Sequence, residues 1–245
     1  MSASARIAWI TGGSSGIGLA AADSLADAGY RVVLSSRGVP ALKAAAVRIE
    51  AAGGLADIAP MDTLSRPQVE TTYRTILDRH GRIDVLVNSA GFNVAARQWH
   101  ELSADDFDRV LAGNLNGTFY AINAVLPAMR AQGYGVIVNI ASMAGKAISP
   151  GGGVAYSIAK QGVIALTASI NQAEFRNGIR ACAISPGEVA TPIMQKRNPP
   201  PPKEVLDRML QAEDVGRAVR FVVETPAHAC IHEIVMAPTW NRALA

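Results

Sequence analysis

The sequence predicts an α/β fold: a single domain over residues 1–245 built on a doubly wound, parallel, seven-stranded sheet. Three observations carry this. Short apolar runs alternate with helical patterns along the whole chain, the order expected of βαβ units whose sheet is covered on both faces. A glycine-rich turn separates the first apolar run from the first helical pattern. At 245 residues and 49% apolar content the chain supplies one large core and needs no second domain.

The first strand is expected over 6–11 and the first helix over 16–28, joined by Thr11-Gly12-Gly13-Ser14-Ser15-Gly16-Ile17-Gly18. Glycines let the backbone turn tightly and approach a ligand, while the free N–H groups and dipole of the helix start favour an anion such as a pyrophosphate. The Thr-Gly-x-x-x-Gly-x-Gly spacing resembles the short-chain dehydrogenase/reductase family, whose Rossmann-type domain binds a nicotinamide dinucleotide. The resemblance implies that Gly12, Ser14, Ser15, Gly16, Ile17 and Gly18 line the cofactor.

The second strand, 31–35, leads into Ser35-Ser36-Arg37 and a helix over 39–52. In dinucleotide folds an acidic residue about 20 positions past the glycine turn holds the ribose 2′-hydroxyl, and an arginine accommodates a 2′-phosphate. Here Ser36 stands 18 residues after Gly18 and Arg37 follows it. The missing carboxylate and the guanidinium fork point to NADP(H), with NAD(H) as the alternative. The third strand, 55–61, ends at Asp62-Thr63, the position from which the family contacts adenine. Asp62 as a cap for the next helix region, 65–80, is the competing reading. The fourth strand, 83–88, closes with Asn88-Ser89-Ala90-Gly91, which resembles the family's Asn-Ala-Gly signature. Asn88, Ala90 and Gly91 would lie beside the cofactor ribose.

A long helix is expected over 104–131, carrying Asn114-Leu115-Asn116-Gly117. This resembles the family's Asn-x-x-Gly segment, in which the first asparagine shapes a helix irregularity and holds a water of the proton relay. The glycine spacing favours Asn114 over Asn116. After the fifth strand, 135–141, comes Ser142, and 14 residues further Tyr156-Ser157-Ile158-Ala159-Lys160 on a helix over 154–177. Residues i and i+4 share a helix face, so Tyr156 and Lys160 project together. With Ser142 and Asn114 they match the family's catalytic set.

The chemistry requires these residue types. Hydride transfer between a nicotinamide and a ketone or secondary alcohol needs a proton delivered to, or removed from, the substrate oxygen. A phenol titrates near 10, so a tyrosine base near neutrality requires a depression of about 3 units, or about 4 kcal/mol. A lysine ammonium about 4 Å away is worth about 4 kcal/mol at an effective dielectric constant of about 20. Lys160 is therefore expected to activate Tyr156 and, by the resemblance, to bind the nicotinamide ribose. Ser142 is expected to donate to the substrate oxygen.

The sixth strand, 179–185, precedes Pro186-Gly187-Glu188-Val189-Ala190-Thr191, which resembles the family's Pro-Gly-x-x-x-Thr segment. By the resemblance, Pro186, Gly187, Val189 and Thr191 would line the cofactor, with the Val189 backbone and the Thr191 hydroxyl holding the carboxamide. Residues 192–210 are expected to form a substrate lid, stiffened by four prolines at 199–202 and covered by Met194, Leu206 and Met209. Asn93, Arg97, Met143, Ile148, Glu188 and Met194 are pocket positions by resemblance. Arg97 reads either as a partner for a substrate carboxylate or as a solvated surface residue. The last helix and strand are expected over 212–225 and 231–236. The stretch 231–240 departs from the Val-Asp-Gly-Gly ending of many family members.

A net charge of +3, only 18% charged residues and no Lys/Arg run argue against a nucleic-acid partner. Cys182 and Cys230 lie in apolar, strand-like runs without C-x-x-C spacing, and are expected to be reduced core residues of a cytoplasmic protein. No signal peptide or membrane span is indicated. His80, His100, His228 and His232 have no ligand-like neighbours at metal spacing, so no metal is expected. The partners expected are a small carbonyl or alcohol substrate and further copies of the chain, as a tetramer or dimer. A nucleotide-sensing regulator on the same fold is the reading from another class. Such a protein has no need of Ser142, Tyr156 and Lys160 together.

Overall fold

The apolar runs become strands that are buried on both faces. The computed structural model describes residues 5–148, 151–196 and 199–240. In chain order the elements are β1 (Ile7–Thr11), α1 (Gly16–Asp27), β2 (Arg31–Ser35), α2 (Val39–Ala51), β3 (Leu55–Ile58), α3 (Arg66–His80), β4 (Val85–Asn88) and α4 (Ala104–Leu111). A π-helical turn (Ala112–Asn116) joins α4 to α5 (Gly117–Gln132), followed by β5 (Gly135–Ile140), α6 (Val154–Glu174) and β6 (Ile179–Pro186). The chain continues through β7 (Val189–Ala190), α7 (Lys203–Leu206), β8 (Leu210–Gln211), α8 (Ala212–Glu224) and β9 (Glu233–Met236).

Seven strands form one sheet in the order β3-β2-β1-β4-β5-β6-β9, and every pairing is parallel. The order in which strands are added reverses between β1 and β4, which opens a crevice at their carboxyl ends. Strand side chains alternate between the two faces. Ala8, Ile10, Val32, Leu34, Val85 and Val87 pack with Leu25, Leu42, Val215 and Val219, so α1, α2 and α8 cover one face. Trp9, Val33, Leu86 and Ile137 pack with Val69, Ile76, Ile122, Val125 and Ile170, so α3, α5 and α6 cover the other.

Several expectations shift. The third strand stops at Ile58, and the expected single helix over 104–131 is interrupted by the π-helical turn. The last strand begins at Glu233 rather than at 231, which leaves Cys230 exposed instead of in the core. Cys230 precedes the strand, so the alternation that would bury it does not apply. Cys182 is buried in β6, and burial pushes its thiol up to about 12. A short ladder of β7 with β8 pairs Val189 with Leu210, folding the 192–210 segment back on itself. Pro202, at φ −66° and ψ 161°, has the polyproline II conformation and caps α7. Residues 197 and 198 of the expected lid, and residues 1–4 of the amino terminus, lie outside the described residues. Among the described residues no helix is long and apolar enough to cross a membrane, and no group of three or more His, Cys, Asp or Glu could hold a metal.

Candidate active site

The glycine turn closes against the end of β4. Gly12 and Gly16 have φ of 69° and 53°, and a Cβ on Gly12 would lie 2.8 Å from Ala90 N. A Cβ on Gly18 would meet Gly12 O at 2.3 Å. Thr11 Oγ1 accepts from the N–H groups of Ser89 and Ala90, each at 3.2 Å. The Ser15 side chain makes no cap hydrogen bond at the start of α1, so the first N–H groups beside Ser14, Ser15 and Ile17 remain available to an anion.

Three buried polar atoms around this turn lack partners: Ser36 Oγ, Asn88 Oδ1 and Asn114 Oδ1. A buried acceptor or hydroxyl left unpaired costs about 1–3 kcal/mol, so each marks a place for a ligand or water. Ser36 directly follows β2, beside the exposed Arg37. Asn88 is held by a chain of bonds in which its Nδ2 donates to Asn139 Oδ1 and Asn139 Nδ2 donates to Thr167 Oγ1, both at 2.9 Å. Sequence reasoning missed this support. A polar Asn139 inside the apolar run of β5 was the available signal. These groups and the glycine cradle fit a dinucleotide laid across the carboxyl ends of β1, β2 and β4. Asp62 is drawn into its own turn, its Oδ1 accepting from Leu64 N–H at 3.1 Å. The cap of α3 is instead Ser65. Thr63 O abuts Gly117, where a Cβ would come within 2.9 Å.

Asn114 sits in the π-helical turn, fully buried, with Nδ2 donating to Phe92 O at 2.7 Å and Val110 O at 2.9 Å. Asn116 is exposed on the outer side. A Cβ on Gly91 would lie 2.5 Å from Asn114 Oδ1 and 3.6 Å from Lys160 Nζ, so these two polar groups flank the same small residue. Lys160 is 5% exposed and its Nζ donates to Ile140 O at 2.8 Å, tying α6 to the end of β5. The ammonium lies 5.6 Å from the centroid of the Tyr156 ring. The Ser142 side chain lies near enough to the Tyr156 hydroxyl to favour its ionised form, and it accepts from Ala144 N–H at 3.1 Å. Asn114, Ser142, Tyr156 and Lys160 therefore meet at one place.

The electrostatics differ from the simple expectation for Lys160. Burial raises the Tyr156 phenol above its usual 10.0, opposed first by the Ser142 side chain and then by the Arg97 charge. Burial also lowers Lys160 from 10.5 to about 8. With the protein's own groups alone, desolvation dominates both shifts, Lys160 is not among the groups that lower the Tyr156 phenol, and each side chain is held towards its neutral form.

The segment after β6 closes the site. Gly187 N–H donates to Met236 O at 2.8 Å. A Cβ on Gly187 would stand 3.2 Å from both Met143 Sδ and Pro238 Cδ. Thr191 Cγ2 would lie 3.2 Å from a Cβ on Gly16, so this segment borders the glycine turn. Val189 is fixed by its ladder with Leu210, and Pro186 ends β6. Of the expected pocket positions, Met194 is buried and Ile148 is exposed. Asn93 and Arg97 are bonded to the backbone before α6, so Arg97 is not simply solvated.

A family model described as short chain dehydrogenase matches residues 6–202. An oxidoreductase of Staphylococcus saprophyticus is 31% identical over 234 residues, covering 95% of this chain and 97% of the relative. A metagenomic short-chain oxidoreductase solved in complex with NADP is 30% identical with a TM-score of 0.83, covering 96% of this chain and 98% of that one. An alcohol dehydrogenase from the archaeon Thermococcus sibiricus, complexed with 5-hydroxy-NADP, is 26% identical with a TM-score of 0.86 and covers 97% and 98%.

Proposed function

The chain belongs to the short-chain dehydrogenase family, and on that premise we propose that it catalyses reversible hydride transfer between NADP(H) and a ketone or secondary alcohol. The observation that carries the reading is the meeting of Asn114 Oδ1 and the buried Lys160 Nζ at Gly91, with the Tyr156 ring 5.6 Å from that ammonium. A bound nicotinamide would supply or accept the hydride. Tyr156 Oη would give its proton to the substrate oxygen in reduction and take it back in oxidation. Ser142 Oγ accepts from Ala144 N–H, which leaves its hydroxyl hydrogen to donate to the same oxygen as charge develops. Lys160 would bind the ribose hydroxyls, and the unpaired Asn114 Oδ1 would hold a water from which the proton is replaced. Arg37 and Ser36 Oγ would bind the 2′-phosphate.

The orphaned Ser36 hydroxyl supports NADP(H), as do the two solved neighbours that carry NADP-type ligands. A cytoplasmic homo-oligomer belongs to the same proposal. An apolar groove between α5 and α6, lined by Leu115, Phe119, Ala165 and Leu166, supports the oligomer. The test is a panel of alcohols and ketones assayed with NADPH and NADH. Turnover of at least one pair, faster with NADPH, is the expected result. Tight NADPH binding with no turnover across the panel would favour the regulator reading instead.

A further inference from the structure

One arginine joins the chain after β4 to the chain before α6 at the mouth of the site. Arg97 Nε donates to Val94 O at 2.7 Å and Nη1 to Gly151 O at 2.9 Å. Its carbonyl accepts from the N–H of Val154, the first residue of α6, at 3.1 Å. Asn93 adds a second link, Nδ2 to Gly152 O at 2.9 Å. Gly153 has φ 72°, and a Cβ there would fall 2.4 Å from Arg97 Cβ, so the two segments are in direct contact. Glu101 fixes the backbone of the clamp, its Oε1 accepting from the N–H groups of Arg97 at 2.7 Å and Gln98 at 3.2 Å. Tyr156 lies two residues beyond Val154 in the first turn of α6.

Resting on the hydride-transfer reading above, we propose that Arg97 is a positioning residue of this site: its guanidinium clamps the turn ahead of α6 so that Tyr156 meets Ser142, and it fixes a positive charge beside the phenol. An arginine suits both tasks. Its planar fork reaches two carbonyls at once and keeps its charge at any pH the enzyme meets, whereas a lysine is a single mobile point charge.

The charge acts in the direction that catalysis needs. Burial raises the Tyr156 phenol, and the groups that oppose it are the Ser142 hydroxyl from the segment after β5 and Arg97 from the segment after β4. Lys160, from α6 itself, is the other cation facing the ring. Glu101 faces the backbone side of the clamp, and the charges of His100 and Arg97 act on it. No carboxylate among the described residues is a cause of the Tyr156 shift.

The experiment compares Arg97→Met and Arg97→Lys with the parent in two readouts. One is the titration of Tyr156 by tyrosinate absorbance, after subtraction of the matching Tyr156→Phe variant. The other is the pH profile of kcat/KM for alcohol oxidation. Arg97→Met should move the Tyr156 titration and the acid limb of the profile upward together, by about half a unit or more. Arg97→Lys should keep the titration near the parent value and lose kcat several-fold with little change in KM, since charge survives and the fork does not. An unchanged Tyr156 titration in Arg97→Met, or parental kcat in both variants, overturns the proposal. If Arg97→Met does not fold, Arg97→Gln keeps a donor for Gly151 O and drops the charge. An upward shift there supports the proposal, and none overturns it. The absorbance titration needs no turnover, so a failure of the hydride-transfer reading, seen as near-parental activity in Tyr156→Phe, is distinguishable from a failure of the Arg97 assignment.

Discussion

Lys160 and Tyr156 are both held away from their charged forms by burial, and this has measurable consequences at the scale of single residues. Lys160 titrates at about 8 in the fold against 10.5 for an unperturbed lysine. Between those values the unfolded chain binds more protons, so stability rises with pH across that window and the cost is complete below it. The shift corresponds to about 3 kcal/mol of destabilisation near neutrality. Lys160→Met should therefore raise the melting temperature of the cofactor-free protein by several degrees at about pH 7, with the gain fading towards pH 10.5, while turnover is lost. A lower melting temperature at neutral pH would contradict this. Tyr156→Phe keeps the ring and removes the transferable proton, so turnover should fall by roughly two orders of magnitude or more with NADPH binding nearly unchanged. Near-normal turnover would remove Tyr156 from the mechanism. At Arg37, a charge-assisted hydrogen bond contributes about 1.5–3 kcal/mol, so NADPH should be preferred to NADH by roughly ten- to a hundredfold. Arg37→Ala should erase most of that preference with little effect on NADH, and Ser36→Asp should shift it towards NADH. Equal harm to both cofactors, measured as kcat/KM, would make Arg37 a surface residue only.

At the scale of elements, the glycine turn and the π-helical turn do the positioning. Gly18 is needed because its hydrogen faces Gly12 O, where a Cβ would sit at 2.3 Å. The obstruction is backbone and cannot rotate away. Gly18→Ala should weaken NADPH binding by at least about tenfold, the loss expected when an anion cradle of backbone N–H groups is displaced. Isothermal titration with NADPH checks this, and unaltered affinity would mean that the turn relaxes without cost. The π-helical turn is where a motif was visible but its geometry was not. Asn114-Leu115-Asn116-Gly117 could be read from the residues, and its glycine spacing favoured Asn114, yet the π-helical form of the irregularity could not be read there. The structure buries Asn114 against Phe92 O and leaves Asn116 outside. The β7–β8 ladder had no local signature, since each partner strand is only two residues long.

For the whole molecule, pH acts through groups far from the site. His80 Nε2 lies 3.4 Å from Asp57 Oδ2, with Arg31 and Arg79 on the same carboxylate. Burial lowers the His80 pKa below 6.5, Asp57 opposes this, and the two arginines add to it. As pH falls through 6.5 the unfolded chain takes up this proton first, so stability declines from there down to the folded value. His80→Gln should flatten the dependence of melting temperature on pH on the acid side of 6.5; an unchanged slope would rule out His80 as its source. Glu174 supplies a second, more acidic stage, because its hydrogen bond to Arg130 holds its carboxyl below 4.5 and that stabilisation is lost as pH falls further.

The order of strands and helices, the glycine turn and the sharing of one helix face by Tyr156 and Lys160 were determined by the sequence itself, because each depends on neighbours within a few residues. Periodicity and backbone freedom are local properties. Other features were decided only by the folded chain. Arg97 meets Gly151 across 54 positions, and Asn88 meets Asn139 across 51. The direction of the Tyr156 pKa, the exposure of Cys230 and the support beneath Asn88 likewise depend on which distant groups the packing brings together and how much water it excludes. Burial and charge are sums over such neighbours, and no stretch of sequence contains them.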